Sequence, residues 1–162
     1  MQSFIPQKRT LMGPGPSDVS DRILEAMARP TLGHLDPDFQ RMMEEVKEGL
    51  KELFQTENKL TFPVSAPGSA GMETCFLNLV EEGDTVVVVR NGVFGMRMTE
   101  NVIRAGGTAV TVDVEWGKAP ELAAIEEALV ANPDAKILAF VHAETSTGVW
   151  ADAAAICALA QK

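Results

Sequence analysis

The chain has 162 residues and a net charge of −9, with 23 acidic side chains against 14 basic ones. That balance excludes nucleic acid as the main partner, because a phosphate backbone demands a basic footprint, while leaving room for a small anion held locally. A hydrophobic fraction of 46% and a mean hydropathy of +0.03 fit a soluble globular chain rather than a disordered one, and no apolar run has membrane-spanning length.

In chain order, residues 1–16 read as an irregular arm ending in Gly13-Pro14-Gly15-Pro16, since alternating glycine and proline forbid regular structure. The opening MQSFIPQKRTL lacks the apolar stretch of a secretory signal. Ser17 or Asp18 is placed to cap a short helix carrying Val19, Ile23, Leu24 and Met27, stopped by Pro30. Asp36-Pro37 is a second start signal, an N-cap followed by proline at the first helical position. Phe39, Met42, Met43, Val46, Leu50, Leu53 and Phe54 then recur at helical spacing, which predicts a long amphipathic helix. Glu44, Glu45 and Glu48 read as its solvated face.

From residue 60 the pattern alternates. Leu60–Ser65 is a strand candidate, and 69–80 a helix with Met72, Phe76 and Leu79 inward. Thr85–Arg90 (TVVVVR) is a continuous β-branched run, the mark of a strand covered on both faces. A loop over 91–95, a helix over 96–105, a strand over 108–114, a helix over 120–131, a strand over 137–142 and a helix over 151–160 follow. Strand and helix in repeated alternation predict an α/β fold: a three-layer αβα arrangement around a mainly parallel sheet. The last helix runs to Gln161-Lys162 with neither a capping glycine nor a further strand, so the expectation is a fold cut short.

Ligands of open α/β sheets sit beyond the carboxyl ends of the strands. Three connections there are expected to share one edge: APGSAG (66–71), NGVFG (91–95) and AETSTG (143–148). Gly68, Ser69 and Ala70 open a helix and can offer N–H groups and a hydroxyl to a phosphate; an ordinary helix cap is the alternative. Gly68-x-x-Gly71 is only a remnant of the dinucleotide fingerprint, so a nicotinamide cofactor is disfavoured. Phe94, between Gly92 and Gly95, suits stacking on a planar ring at a loop tip, or serves as a hydrophobic plug. Thr145, Ser146 and Thr147 offer hydroxyls, or cap their own turn. His34 lies in a surface turn, and His142, ending an apolar strand, reads as a hydrogen-bonded structural histidine. Cys75 and Cys157 fall within helices and read as buried small hydrophobes in a reducing compartment, hence a cytoplasmic location. Zinc is excluded by two cysteines and two histidines set far apart.

Taken together, LMGPGPSDVS, PTLGHLDPDF, APGSAGMET, NGVFGMRM, VDVEWG and VHAETSTGV, in this order, resemble the class V aminotransferases of the alanine/serine–glyoxylate type. The resemblance covers essentially the whole chain. It implies the aspartate aminotransferase fold (fold type I), with residues 1–16 an arm reaching a partner subunit and 17–162 an incomplete large domain. It implies pyridoxal 5'-phosphate as cofactor, small amino acids and 2-oxo acids as substrates, and a homodimer. Gly68, Ser69 and Ala70 would hold the phosphate, Phe94 would stack on the pyridine ring, and Thr145 would bond its 3'-oxygen. Gly15, Gly33 and His34, in the GPGP and LGH segments, would line the substrate mouth. Pro67 departs from the pattern, since many relatives place a serine there.

The resemblance also implies what to expect beyond Lys162: an aspartate that pairs with the pyridine nitrogen, the lysine that forms the Schiff base, and a small domain with a carboxylate-binding arginine. Lys8, Lys47, Lys51, Lys59, Lys118 and Lys136 match no anchor position. Two further readings stay open, a catalytically silent binding or dimerisation module, and a relative such as a cysteine desulfurase or phosphonate aminotransferase. Desulfurases usually carry histidine at the stacking position, and Phe94 counts against them.

Overall fold

The structure, a computed structural model, describes residues 3–161. It divides into two compact units, one ending at Ser65 and one beginning at Ala66.

The first unit holds two helices. α1 spans Asp21–Met27 with Ser20 at the N-cap. Neither Ser17 nor Asp18 caps it, because Asp18 Oδ2 instead accepts the Leu11 N–H at 3.2 Å. α2 spans Pro37–Phe54 and starts as its sequence predicts: Asp36 Oδ1 accepts the Asp38 N–H at 2.8 Å and Pro37 occupies the first turn. Its acidic face is solvated and paired one turn apart, Glu44 with Lys47 and Glu48 with Lys51. The Lys51 hydrogen bond holds the Glu48 carboxyl below its ordinary value. Leu60–Ser65 is not a strand: the run stays irregular, and an extended segment becomes a strand only when a neighbour completes its ladder.

In the second unit, strands β1 (Thr85–Arg90), β2 (Thr108–Asp113) and β3 (Ile137–Ala139) form a parallel sheet in the order β2-β1-β3. Register runs from Thr85 opposite Thr108 to Arg90 opposite Asp113. β1 is central, and Val86, Val87, Val88 and Val89 are all fully buried. Their alternation builds both cores at once. Val86 and Val88 pack with Phe76, Val80, Met98 and Val102, from α3 (Gly68–Leu79), the residue after it, and α4 (Val93–Arg104). Val87 and Val89 pack with Val112, Ile125 and Ile156, the last two from α5 (Leu122–Ala131) and α6 (Ala153–Ala160). Each such valine stabilises the fold by about 1.5–3 kcal/mol relative to exposure. The expected three layers are therefore present.

Several boundaries move. α4 begins at Val93 rather than residue 96, so Phe94 lies in a helical first turn and not at a loop tip. β3 ends at Ala139, and the chain beyond it forms a short antiparallel hairpin of β4 (Ala143–Glu144) and β5 (Val149–Trp150). Leu79, expected inside, is exposed, while Val80 takes the buried position. Both cysteines are exposed rather than buried: each follows the inward residue of its helix by one position or precedes it by one, and a step of one residue turns the side chain well away from the core.

Candidate active site

The connection from β1 runs through α4 to β2 on one side, and the connection from β2 returns past β1 to β3 through α5. Because parallel crossovers keep one hand, reversing direction along the sheet moves the helix to the other face. The helices that follow β1 and β3 accordingly cover opposite faces, α4 one and α6 the other. The segments leaving β1 and β3 thus diverge at their carboxyl ends, which is the switch-point crevice of open α/β sheets. Two of the three expected connections, 91–95 and 143–148, meet there.

They meet closely. Glu144 is fully buried. Its carboxylate accepts the Phe94 N–H at 3.1 Å, the Ser146 N–H at 3.1 Å and the Ser146 hydroxyl at 2.6 Å. Ser146 Oγ in turn accepts the Val93 N–H at 3.0 Å, and the Thr147 hydroxyl donates to the Asn91 carbonyl at 3.2 Å. A helix leaves its first N–H groups without intrahelical acceptors; here the 144–146 turn satisfies two of those of α4. Thr145, between Glu144 and Ser146, is exposed.

The glycines of NGVFG answer to this packing rather than to clearing space around Phe94. A Cβ on Gly92 would lie 2.4 Å from Glu144 Cγ and 2.7 Å from Ser146 Oγ. One on Gly95 would lie 2.8 Å from both Arg90 Cα and the Val89 carbonyl oxygen. The first turn of α4 therefore rests directly on the end of β1, which the Arg90–Asp113 pair joins to β2 (Nε to Oδ1, 2.6 Å).

The 66–71 turn follows no strand, yet it joins the same site. α3 starts at Gly68, its N-cap is Pro67, and no side chain caps it. The Ala70 and Gly71 N–H groups donate to the Pro67 carbonyl at 2.9 and 3.2 Å, so Gly68 and Ser69 are the donors this turn leaves for an outside anion. The space where a Cβ of Gly68 would point is open for 4 Å. Arg97, one turn along α4 from Phe94, donates from Nη1 to Ser69 Oγ at 2.8 Å and holds its guanidinium 5.2 Å from the centre of the Phe94 ring. Ser69, Arg97, Phe94 and Glu144 thus form one continuous chain of contacts, and Thr145 adjoins Glu144 in the sequence.

Gly15, Gly33 and His34 lie in the unit ending at Ser65, all exposed, His34 in a turn as expected. His142 is hydrogen-bonded, accepting the Trp150 indole N–H at Nε2 (3.0 Å), although it is exposed. Sequence reasoning missed Glu144, Arg97 and Asn91. Asn91 is 1% exposed, and neither its amide nitrogen nor its amide oxygen has a partner. Among the described residues no cluster of His, Cys, Asp and Glu could hold a metal.

An uncapped helix start with open space before it, a hydroxyl beside a guanidinium, a half-buried aromatic ring and an exposed hydroxyl fit a flat, phosphorylated aromatic molecule. Comparison with known proteins agrees. The family profile described as Aminotransferase class-V matches residues 17–162. Alanine–glyoxylate aminotransferase of Drosophila melanogaster is 41% identical over 146 residues, covering 90% of this chain and 36% of that protein. The (S)-ureidoglycine–glyoxylate transaminase of Bacillus subtilis is 40% identical, covering 86% and 33%. The crystal structure of alanine–glyoxylate aminotransferase from Nostoc sp. superposes with a TM-score of 0.93 at 38% identity, over 99% of this chain and 42% of that one. The chain thus spans about a third of the length of the curated relatives it matches. With that match over nearly all its residues, on a fold shared with solved pyridoxal-phosphate enzymes of fold type I, the chain belongs to the class V aminotransferases, a family whose cofactor is pyridoxal phosphate.

Proposed function

We propose that this chain supplies the cofactor cradle of a transaminase that moves an amino group from alanine, serine or a related small donor to glyoxylate or a similar 2-oxo acid. The support is the set of relatives named for glyoxylate as acceptor with alanine, ureidoglycine or aspartate as donor. The observation that carries the site is the linked series Ser69–Arg97–Phe94–Glu144 beside Thr145.

In this reading the Gly68 and Ser69 N–H groups and the Ser69 hydroxyl take the phosphate, aided by the positive end of α3. Arg97 orients that hydroxyl and adds charge complementary to the phosphate. Phe94 supplies an apolar face for the ring and keeps water from it, and Thr145 donates to the ring's 3'-oxygen. Bound pyridoxal phosphate supplies the electron sink for the substrate's Cα–H electrons. Gly15, Gly33 and His34 at the substrate mouth, a homodimer and a cytoplasmic location complete the reading; the free cysteines fit a reducing compartment.

A second reading, cofactor binding without turnover, draws on the lysines. In the second unit Lys118 pairs with Glu115 beyond the carboxyl end of β2, while Lys136 pairs with Asp84 and bonds the Thr85 carbonyl through its N–H at the sheet edge opposite the crevice. Titration with pyridoxal phosphate followed by absorbance, borohydride treatment and an assay of alanine with glyoxylate separates the two. Saturable binding without a trapped lysine and without pyruvate formation supports the cradle alone. Transamination by this chain overturns the second reading, and no cofactor binding overturns both.

A further inference from the structure

We propose that Glu144 is a positioning residue that sets the ring-stacking Phe94 and the hydroxyl-bearing Thr145 in register with one another, a role that rests on the cofactor reading above. A carboxylate taken fully out of water is costly unless its oxygens are bonded. Here three donors converge on it, from two connections 50 residues apart in the chain. A simple cap for α4 needs no such arrangement, since a serine, threonine or aspartate at position 92 would serve. That position is glycine, and Glu144 and Ser146 fill the space a side chain there would take. The cap is therefore supplied by the turn that carries Thr145. Any shift of that turn moves the Phe94 backbone, and the Thr147–Asn91 bond ties the same two connections a second time.

The phosphate side of the site is built differently, from α3 and Arg97, with no bond to Glu144 among those that shape it. A positioning role for Glu144 thus predicts an effect on the aromatic part of the cofactor and little on its phosphate. Glu144→Gln keeps the size but turns one acceptor oxygen into a donor facing the Phe94 or Ser146 groups. In this chain, amide exchange at Phe94 and Ser146 should quicken roughly tenfold while Val86–Val89 stay protected. The dissociation constant for pyridoxal phosphate should rise about tenfold, and that for inorganic phosphate should stay within about twofold. The circular dichroism of the bound ring should weaken at saturation.

Ser146→Ala removes the hydroxyl's bonds to Glu144 and Val93 but keeps the buried carboxylate and its two backbone N–H donors, and should weaken pyridoxal phosphate roughly threefold; it carries the test if Glu144→Gln fails to fold. Equal weakening of inorganic phosphate and cofactor, or cofactor binding unchanged in both variants, overturns the positioning role. If the unsubstituted chain takes up inorganic phosphate but not pyridoxal phosphate, the functional reading falls and takes this role with it. The amide exchange then reports whether Glu144 clamps the two connections at all.

Discussion

Helices α3 and α4 pack on the same face of the sheet, and both open with a glycine in the first turn or just before it, yet their amino ends are finished in opposite ways. The start of α4 is closed by protein: Glu144 and Ser146 take its first N–H groups, and at Gly92 and Gly95 there is no room for one more carbon. The start of α3 is left open: Pro67 offers no cap, and nothing lies within 4 Å of where a Gly68 side chain would begin. The same local signal, glycines beside a helix start, thus serves dense packing in one place and access in the other. In the proposed reading the open end would seat the anion, and the closed end would fix the backbone of the aromatic that faces the ring.

The sharpest way to break this contrast is to place one methyl group at each end. Gly95→Ala drives a carbon into the backbone of Val89 and Arg90, which cannot move aside as a side chain can. We expect a loss of about 3 kcal/mol in urea unfolding, even after the gain of helix propensity. Gly68→Ala meets open space without a positive φ and should stay within about 0.5 kcal/mol of the parent. Comparable losses for the two would show that the ends are not packed differently. Next in size, Phe94→Ala should weaken pyridoxal phosphate about tenfold while leaving inorganic phosphate bound as before, by competitive titration. Ser69→Ala should weaken both ligands roughly fivefold, since it removes a hydroxyl from the open end alone.

The smallest effect lies at the other edge of the sheet. The Lys136 hydrogen bond, helped by the Glu81 N–H, holds Asp84 below its ordinary value, and Asp84 raises Lys136 above its own. A depressed carboxyl stabilises above its unfolded pKa and loses that contribution as pH falls through the folded value. A raised ammonium loses its contribution as pH climbs through the folded lysine value. Asp84→Asn should therefore flatten the acid limb of a stability–pH profile slightly, below the ordinary carboxylate range, and leave cofactor affinity unchanged.

Much of this was legible in the residues. TVVVVR marks β1 to the residue, because only a strand covered on both faces tolerates so unbroken an apolar run. Asp36-Pro37 starts α2 where written, because cap and proline act locally. Of the three small-residue connections, 91–95 and 143–148 meet as expected, while 66–71 follows no strand and is tied to α4 through the Ser69–Arg97 bond. What stayed hidden depends on partners distant in sequence. α4 begins earlier than its own residues suggest because its cap comes from Glu144 and Ser146. Glu144 reads as one more surface acid until three donors are seen to converge on it. Leu60–Ser65 has strand-like residues but no ladder, and a ladder is not a local property.

The hairpin of β4 and β5 has a further bearing on how such chains diverge. Its turn is tied at Glu144, Ser146 and Thr147, so one inserted residue would throw all three bonds out of step. Residues 115–119, exposed and bridged by the solvent-facing Lys118–Glu115 pair, bear no such ties to the neighbouring strands. Lengthening is expected to be absorbed in the latter and rejected in the former, which makes 115–119 the place to graft a tag or fluorophore beside the crevice without disturbing it.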